Sequence, residues 1–199
     1  MKRISLKKVA IYGIMLSASV LNLSHAAAQV AFQSKAVTIS LTGTSTLHDW
    51  EMKTATGTSE AAFTVDATDK VISISKLSFT LPVETLKSEH TAMDNNTYKA
   101  MNTDKFPNIS FVLTSSSVTP TGNNTYQLHC SGKLSIAGTT KETDLIATGK
   151  YNPADKSFTV TGVKAMKMTD YNVKPPTVML GTIKTGDAIS IAYNLKFTH

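Results

Sequence analysis

Short runs of alternating apolar and polar residues recur through most of this chain, and they constrain its fold more than any other feature. In residues 36–42, AVTISLT, the side chains of Val37, Ile39 and Leu41 fall on one face of an extended strand. The same alternation recurs in residues 61–65, 77–83, 109–113, 126–136, 158–160 and 188–197. This pattern is typical of antiparallel strands with one face buried and the other in water.

Turn-forming residues separate several of these runs. The segments TGNN (121–124), NPADK (152–156) and KTGD (184–187) each have a composition typical of a hairpin turn. About eight strands follow from this count, and the exposed edges of an open sheet would promote aggregation. The sequence therefore predicts an all-β fold whose strands either close into a barrel or stack as two sheets, and the fold we expect is a closed antiparallel β-barrel of about eight strands.

One segment, residues 84–107, lacks the strand pattern and predicts a short helical insertion near residues 85–105. Pro82 and Pro107 bound the insertion. We expect the helix to pack over one end of the barrel, and an exposed surface loop is the alternative. The residues at helical spacing are Met93, Thr97, Ala100 and Met101.

The first 28 residues have the pattern of a secretory signal peptide: a basic head, an apolar run over residues 9–21, and small residues at Ala26 and Ala28. We expect cleavage after Ala26 or Ala28, which leaves residues 29–199 as one exported domain, periplasmic or secreted. A spanning helix needs roughly 20 apolar residues. The shorter run therefore predicts no integral membrane segment.

Charge and cysteine content exclude other classes of protein. The first 28 residues hold four of the 20 basic residues and none of the 14 acidic ones, so the rest of the chain carries a charge of about +2. It has no basic run of the kind that binds nucleic acid. Cys130 is the single cysteine, so no internal disulfide forms, and we expect its thiol to pack as a small hydrophobic group.

No cofactor or metal site is predicted. The histidines beyond residue 28 show no spacing typical of a zinc site. They are His48, His90, His129 and His199.

The segment GTSTLHDW (43–50) changes the parity of its inward residues between Leu47 and Trp50. A one-residue offset predicts a bulge or kink, with His48 at the bend. Three interpretations of His48 stay open. It braces the backbone while Trp50 fills the core, it contacts a ligand, or it takes part in catalysis.

Four blocks in order resemble the YceI-like family of polyisoprenoid-binding proteins. They are GTSTLHDW (43–50), MDNNTYKAMNTDKFPNISF (93–111), GKLSIAGTTKE (132–142) and MKMTDYNVKPPTVMLGTIKTGDAISIAYNL (166–195). The resemblance implies a lipocalin-like barrel that holds a long isoprenoid chain in the bacterial periplasm. The chain departs from family variants that open with a His-Ser pair, because it has His48-Asp49-Trp50 instead.

The interior of an eight-stranded barrel is wide enough for side chains or one small ligand. We predict that it binds an isoprenoid lipid, such as a quinone or a polyprenyl phosphate, for transport, storage or stress protection. The predicted ligand-binding residues are Ile39, Leu41, His48, Trp50, Phe63, Phe79, Met93, Tyr98, Ile109, Phe111, Leu128, Met166, Met168, Ile191 and Tyr193.

Two alternatives belong to other classes. One is an envelope structural or stress protein whose barrel is filled by its own side chains. The other is a hydrolase that uses His48. The sequence predicts no catalytic residue for the binding-protein interpretation, and it leaves a homodimer open.

Overall fold

The computed structural model describes residues 28–66 and 70–198. The predicted signal peptide lies outside these residues, apart from Ala28, the first residue of strand β1. None of the helices in the described part of the chain is long and apolar enough to span a membrane.

The described chain forms ten strands and one α-helix. The elements are β1 (Ala28–Ser45), β2 (Trp50–Thr54), β3 (Thr58–Val65), β4 (Val71–Pro82), α1 (Thr91–Met101), β5 (Asn108–Gly122), β6 (Thr125–Ile136), β7 (Thr139–Asn152), β8 (Ser157–Lys167), β9 (Thr177–Val178) and β10 (Ile183–Thr198).

Eight of these strands close into a ring. All neighbours in the ring are antiparallel, in the order β1-β3-β4-β5-β6-β7-β8-β10, and β10 pairs with β1 to close it. Strand β1 pairs with β3 through residues 28–33 and with the short strand β2 through residues 39–43. The short strand β9 pairs with the beginning of β10. The prediction of an all-β closed barrel is confirmed.

Two of the three predicted turns are confirmed and one is wrong. Within the segment 121–124, Asn123 and Asn124 join β5 to β6 at positive φ, and within the segment 152–156, residues 153–156 join β7 to β8. The KTGD segment (184–187) instead lies inside β10, where Thr185 pairs with Ser45. The turn composition is accommodated there by an irregularity in register between β1 and β10, because three residues of β10 (186–188) oppose the single residue Thr44 of β1.

The predicted bulge between Leu47 and Trp50 is also wrong, because the chain reverses there. Strand β1 ends at Ser45, and β2 pairs back onto it with Trp50 opposite Gly43. The parity changes because residues 46–49 form the turn between two strands. His48 does lie at the bend, as predicted.

The two ends of the barrel differ. At one end, called the far end, where β5 turns into β6 and β7 into β8, the interior is packed with aromatic rings. The ring of Phe63 lies 4.7 Å from that of Phe158 and 5.8 Å from that of Phe197, measured between centroids. The hydroxyl of Tyr126 accepts a hydrogen bond from the backbone N–H of Val71 at 3.2 Å. The far end is therefore a filled core.

The opposite end, called the helix end, carries the insertion between β4 and β5. Helix α1 falls within the predicted 85–105 segment, and Asn102 ends it in the left-handed conformation. The backbone N–H of Val83 donates to the carbonyl of Pro107 at 2.8 Å, which closes the base of the insertion. The prediction of a helix rather than a surface loop is confirmed.

A buried carboxylate holds the chain that leads into α1. Oδ1 of Asp94 accepts hydrogen bonds from the backbone N–H and the hydroxyl of Ser88, both at 2.7 Å. The hydroxyl of Tyr98 donates to the carbonyl of Leu86 at 2.7 Å. These contacts fix the helix over the end of the barrel.

Candidate functional site

The helix end encloses a cavity of about 430 Å³, called the outer chamber, between α1 and the barrel rim. The helix contributes the four residues that the sequence placed at helical spacing. Barrel strands and the segment between β8 and β10 supply the other walls. The residues of these walls include Leu41, Leu47, His48, Trp50, Met52, Ile136, Met166, Met168, Tyr171, Val173, Val178, Ile183 and Ile189.

A second cavity of about 150 Å³, called the inner chamber, lies in the barrel interior. Leu41, Ile136 and Met166 line both chambers, so the two adjoin. Of the described residues that line the inner chamber, Lys164 alone is charged. The other residues of its wall include Ile39, Phe79, Ile109, Phe111, Cys130, Leu134, Leu145, Ile191 and Tyr193.

Most of the predicted ligand-binding residues meet at these chambers. His48, Trp50, Met93 and Met168 line the outer one, and Leu41 and Met166 line both. The six residues of the predicted set that line the inner chamber alone are Ile39, Phe79, Ile109, Phe111, Ile191 and Tyr193. Contact with a ligand stays a prediction for all of them.

Three residues of the predicted set line neither chamber. Phe63 and Leu128 are fully buried in the packed core of the far half of the barrel. Tyr98 faces the base of the insertion, where its hydroxyl reaches the carbonyls of Glu84 and Leu86. Their side chains support the walls and do not border the space.

The turn that carries His48 is held by backbone contacts. Nδ1 of His48 lies 2.6 Å from the carbonyl oxygen of Asp49, and the hydroxyl of Ser45 donates to the carbonyl of His48 at 2.8 Å. Nε1 of Trp50 donates to the carbonyl of Thr44 at 2.9 Å. The hydroxyl of Thr46, the nearest to His48 in the chain, donates to the carbonyl of Thr182 at 3.3 Å. Both neighbouring hydroxyls are thus directed at the backbone and not at the imidazole, which is unlike a serine–histidine pair.

The barrel wall is split beside the inner chamber. The pairing of β7 with β8 begins where Asn152 lies opposite Ser157, and it ends where Ala147 lies opposite Gly162. Beyond that point Tyr193 donates its hydroxyl to the carbonyl of Ile146 at 3.2 Å, and Nζ of Lys164 donates to the carbonyl of Asp144 at 2.9 Å. Side chains therefore bridge this part of the wall in place of a backbone ladder.

Gly162 and the burial of Tyr193 allow this tyrosine to bond to β7 across β8. A Cβ on Gly162 would overlap the hydroxyl of Tyr193, so only glycine lets the ring cross β8. Burial raises the pKa of Tyr193 to about 12. The hydroxyl therefore keeps its proton at neutral pH and donates to the Ile146 carbonyl.

Among residues 28–66 and 70–198, no three His, Cys, Asp or Glu side chains are grouped closely enough to hold a metal ion. Cys130 is buried and lines the inner chamber beside the apolar core. Burial raises the pKa of its thiol from 9.0 to about 11.

We expect Cys130 to resist alkylation in the folded protein. At pH 8 roughly a thousandth of a thiol with this pKa is ionised, and the thiolate is the reactive form. Iodoacetamide labelling followed by mass spectrometry should be slow in buffer and rapid in urea. The free energy of unfolding should fall between about pH 9 and 11, because the unfolded thiol loses its proton first. Rapid labelling of the folded chain at pH 8 would contradict this.

Sequence reasoning missed the wall formed between β8 and β10. Tyr171 ends a short 3₁₀ turn, Val173 lies in the irregular segment after it, Val178 belongs to the two-residue strand β9, and Ile183 is the first residue of β10; all four line the outer chamber. The elements between β8 and β10 are too short to produce a strand or helix period. The one available signal was the presence of apolar residues in an irregular part of the block 166–195.

Solved structures with this architecture come from several bacteria. BcnA from Burkholderia cenocepacia superposes with a TM-score of 0.62 at 19% identity, covering 80% of this chain and 95% of that one. A polyisoprenoid binding domain from Saccharophagus degradans, implicated in plant cell wall breakdown, gives 0.60 at 8% identity, covering 84% and 97%. The YCEI protein of Campylobacter jejuni gives 0.51 at 17% identity, covering 71% and 82%.

The fold and the two apolar chambers define a lipocalin-like antiparallel barrel with one filled end and one hollow end. The model of the YceI-like domain matches residues 21–197, which is most of the chain. This protein therefore belongs to the YceI-like family. A comparison with curated proteins gave no match.

Proposed function

We propose that this protein is a periplasmic binding protein that holds one long isoprenoid lipid in its two chambers. The observation that carries the proposal is the pair of adjoining cavities. Most of the surface that lines them is apolar. The larger cavity falls within the 300–1,000 Å³ that ligand sites commonly occupy. Burial of ten methylenes offers roughly 8 kcal/mol before association costs are subtracted.

The distribution of polar side chains supports one orientation of the lipid. The inner chamber offers an apolar surface suited to a hydrocarbon tail, and the polar groups concentrate at the outer chamber, suited to a head group such as a quinone or a phosphate. The polar residues of the outer chamber are Ser45, His48, His90, Asn96, Thr97, Lys167 and Thr185.

The comparisons support the class of ligand. One structural neighbour is described as a polyisoprenoid binding domain, and the family match covers both chambers. The signal-like first 28 residues support export to the periplasm. Binding without catalysis agrees with the backbone-directed contacts around His48.

Trp50 offers a direct test, because it is the single tryptophan and lines the outer chamber. A quinone with a long isoprenoid tail, added to delipidated protein, should quench its fluorescence with saturation at one molecule per chain. The same quinone ring without a tail is the control and should give no saturable quenching. Equal quenching by both compounds would contradict a site that recognises the tail.

The filled-barrel alternative is disfavoured by the same cavities, since a core packed by its own side chains contains few voids larger than a water molecule. The hydrolase alternative has no comparable support from geometry. His48 is the residue on which it depends.

We expect His48→Ala to change lipid affinity by a fewfold and to abolish no hydrolytic activity. His48 is exposed and lines the outer chamber, and among the contacts of the described residues its imidazole bonds only to the backbone. Ester and amide turnover should be measured for both proteins, together with the quinone titration. Reproducible turnover that disappears in the variant would favour the hydrolase.

A further inference from the structure

The turn between β9 and β10 projects two large apolar side chains into solvent. Met179 is 72% exposed and Leu180 is fully exposed. Both have positive φ, at 49° and 55°, and Gly181 follows at 88°. Left-handed backbone is unfavourable for residues other than glycine. The fold therefore maintains a strained turn that removes these side chains from the core.

This turn lies on the rim of the outer chamber. Val178 and Ile183, on either side of it, line the chamber. The backbone N–H of Thr46 donates to the carbonyl of Lys184 at 3.0 Å, and the N–H of Lys184 donates to the hydroxyl of Thr46 at 3.1 Å. These bonds join the turn to the β1–β2 turn, where Leu47 is 65% exposed. We call the three side chains Leu47, Met179 and Leu180 the rim patch.

Two exposed lysines, Lys174 and Lys184, lie in the segment that carries Met179 and Leu180. Asp170 and Asp187 lie at the two ends of that segment, and their carboxylates accept hydrogen bonds from the backbone N–H groups of Lys167 and Thr169. No carboxylate lines the outer chamber within the described residues, whereas Lys167 does. Asp49, exposed on the β1–β2 turn, is the acidic group nearest to Leu47 in the chain.

We propose that the rim patch docks the chamber mouth onto an anionic lipid bilayer. Exposed apolar side chains beside lysines match the interface of such a membrane. A stable protein interface buries about 800 Å² on each partner, which three projecting side chains do not supply. In the docked state an apolar lipid would pass between bilayer and chamber without crossing water. That passage rests on the proposed function, but docking itself does not.

Binding to vesicles tests the docking. The full mature chain should cosediment with equimolar phosphatidylglycerol–phosphatidylethanolamine vesicles and bind phosphatidylcholine vesicles weakly. The double variant Met179→Ser, Leu180→Ser should bind the anionic vesicles at least tenfold more weakly, because two apolar side chains leave the interface. Ile72→Ser removes a side chain that is 47% exposed near the far end and should leave binding unchanged.

Two results would overturn the proposal. One is the absence of binding by the parent protein, or equal binding by parent and double variant. The other is a dimer in light scattering that dissociates in the double variant, since the patch would then contact a second copy. The lipid extracted from the parent is measured separately, so a barrel without lipid would contradict the proposed function and leave the vesicle result to decide docking.

Discussion

Replacing Phe158 with alanine should destabilise the protein by about 3–5 kcal/mol. The ring is fully buried at the far end, 4.7 Å from Phe63 and 5.9 Å from Tyr126 between centroids, and it fills the space above Gly149. A domain of this size has a total free energy of unfolding of about 5–15 kcal/mol. Urea denaturation monitored by circular dichroism measures the change in the free energy of unfolding.

Phe79→Ala is the matched control, because that ring is half-buried and borders the inner chamber. One side of the ring faces existing space, so its removal should cost about 1–2 kcal/mol. Equal destabilisation by both substitutions would indicate that the barrel is packed as tightly at the inner chamber as at the far end.

Met166→Trp should weaken binding of a long-tailed isoprenoid about tenfold or more while the melting temperature changes little. Met166 lies where the two chambers adjoin, and an indole there would occupy the space through which one lipid spans both. In a filled core the same substitution would overpack and cost about 1–3 kcal/mol. The affinity and the melting temperature thus separate the hollow barrel from the filled one.

Ala165→Trp is the control for Met166→Trp. Ala165 is the adjacent residue of β8, and its side chain is exposed on the outer face. An indole at this position should leave lipid affinity unchanged. Similar losses from the two variants would mean that the effect comes from a disturbed β8 and not from a blocked chamber.

The strands and the helix could be predicted because each has a regular period. In β6, Tyr126, Leu128, Cys130, Leu134 and Ile136 alternate strictly, and all five are buried. Parity identifies the side of the wall that a residue faces, but it carries no information on height along the barrel. Phe63 and Leu128 face inward as expected and lie in the filled half, away from both chambers.

Features that depend on distant pairing could not be predicted. The KTGD segment has the composition of a turn, yet its pairing with Ser45 keeps it within β10. The split between β7 and β8 depends on Tyr193 of a third strand, which reaches the Ile146 carbonyl across Gly162. A single sequence records none of these long-range contacts.

Native mass spectrometry of the protein purified from its own envelope shows directly whether the two chambers hold an isoprenoid. We expect one bound lipid per chain, released by organic solvent and identified by fragmentation as an isoprenoid, with a much smaller bound fraction in Met166→Trp than in Ala165→Trp. A parent protein that carries no lipid, or carries one in equal amounts in both variants, would contradict this expectation.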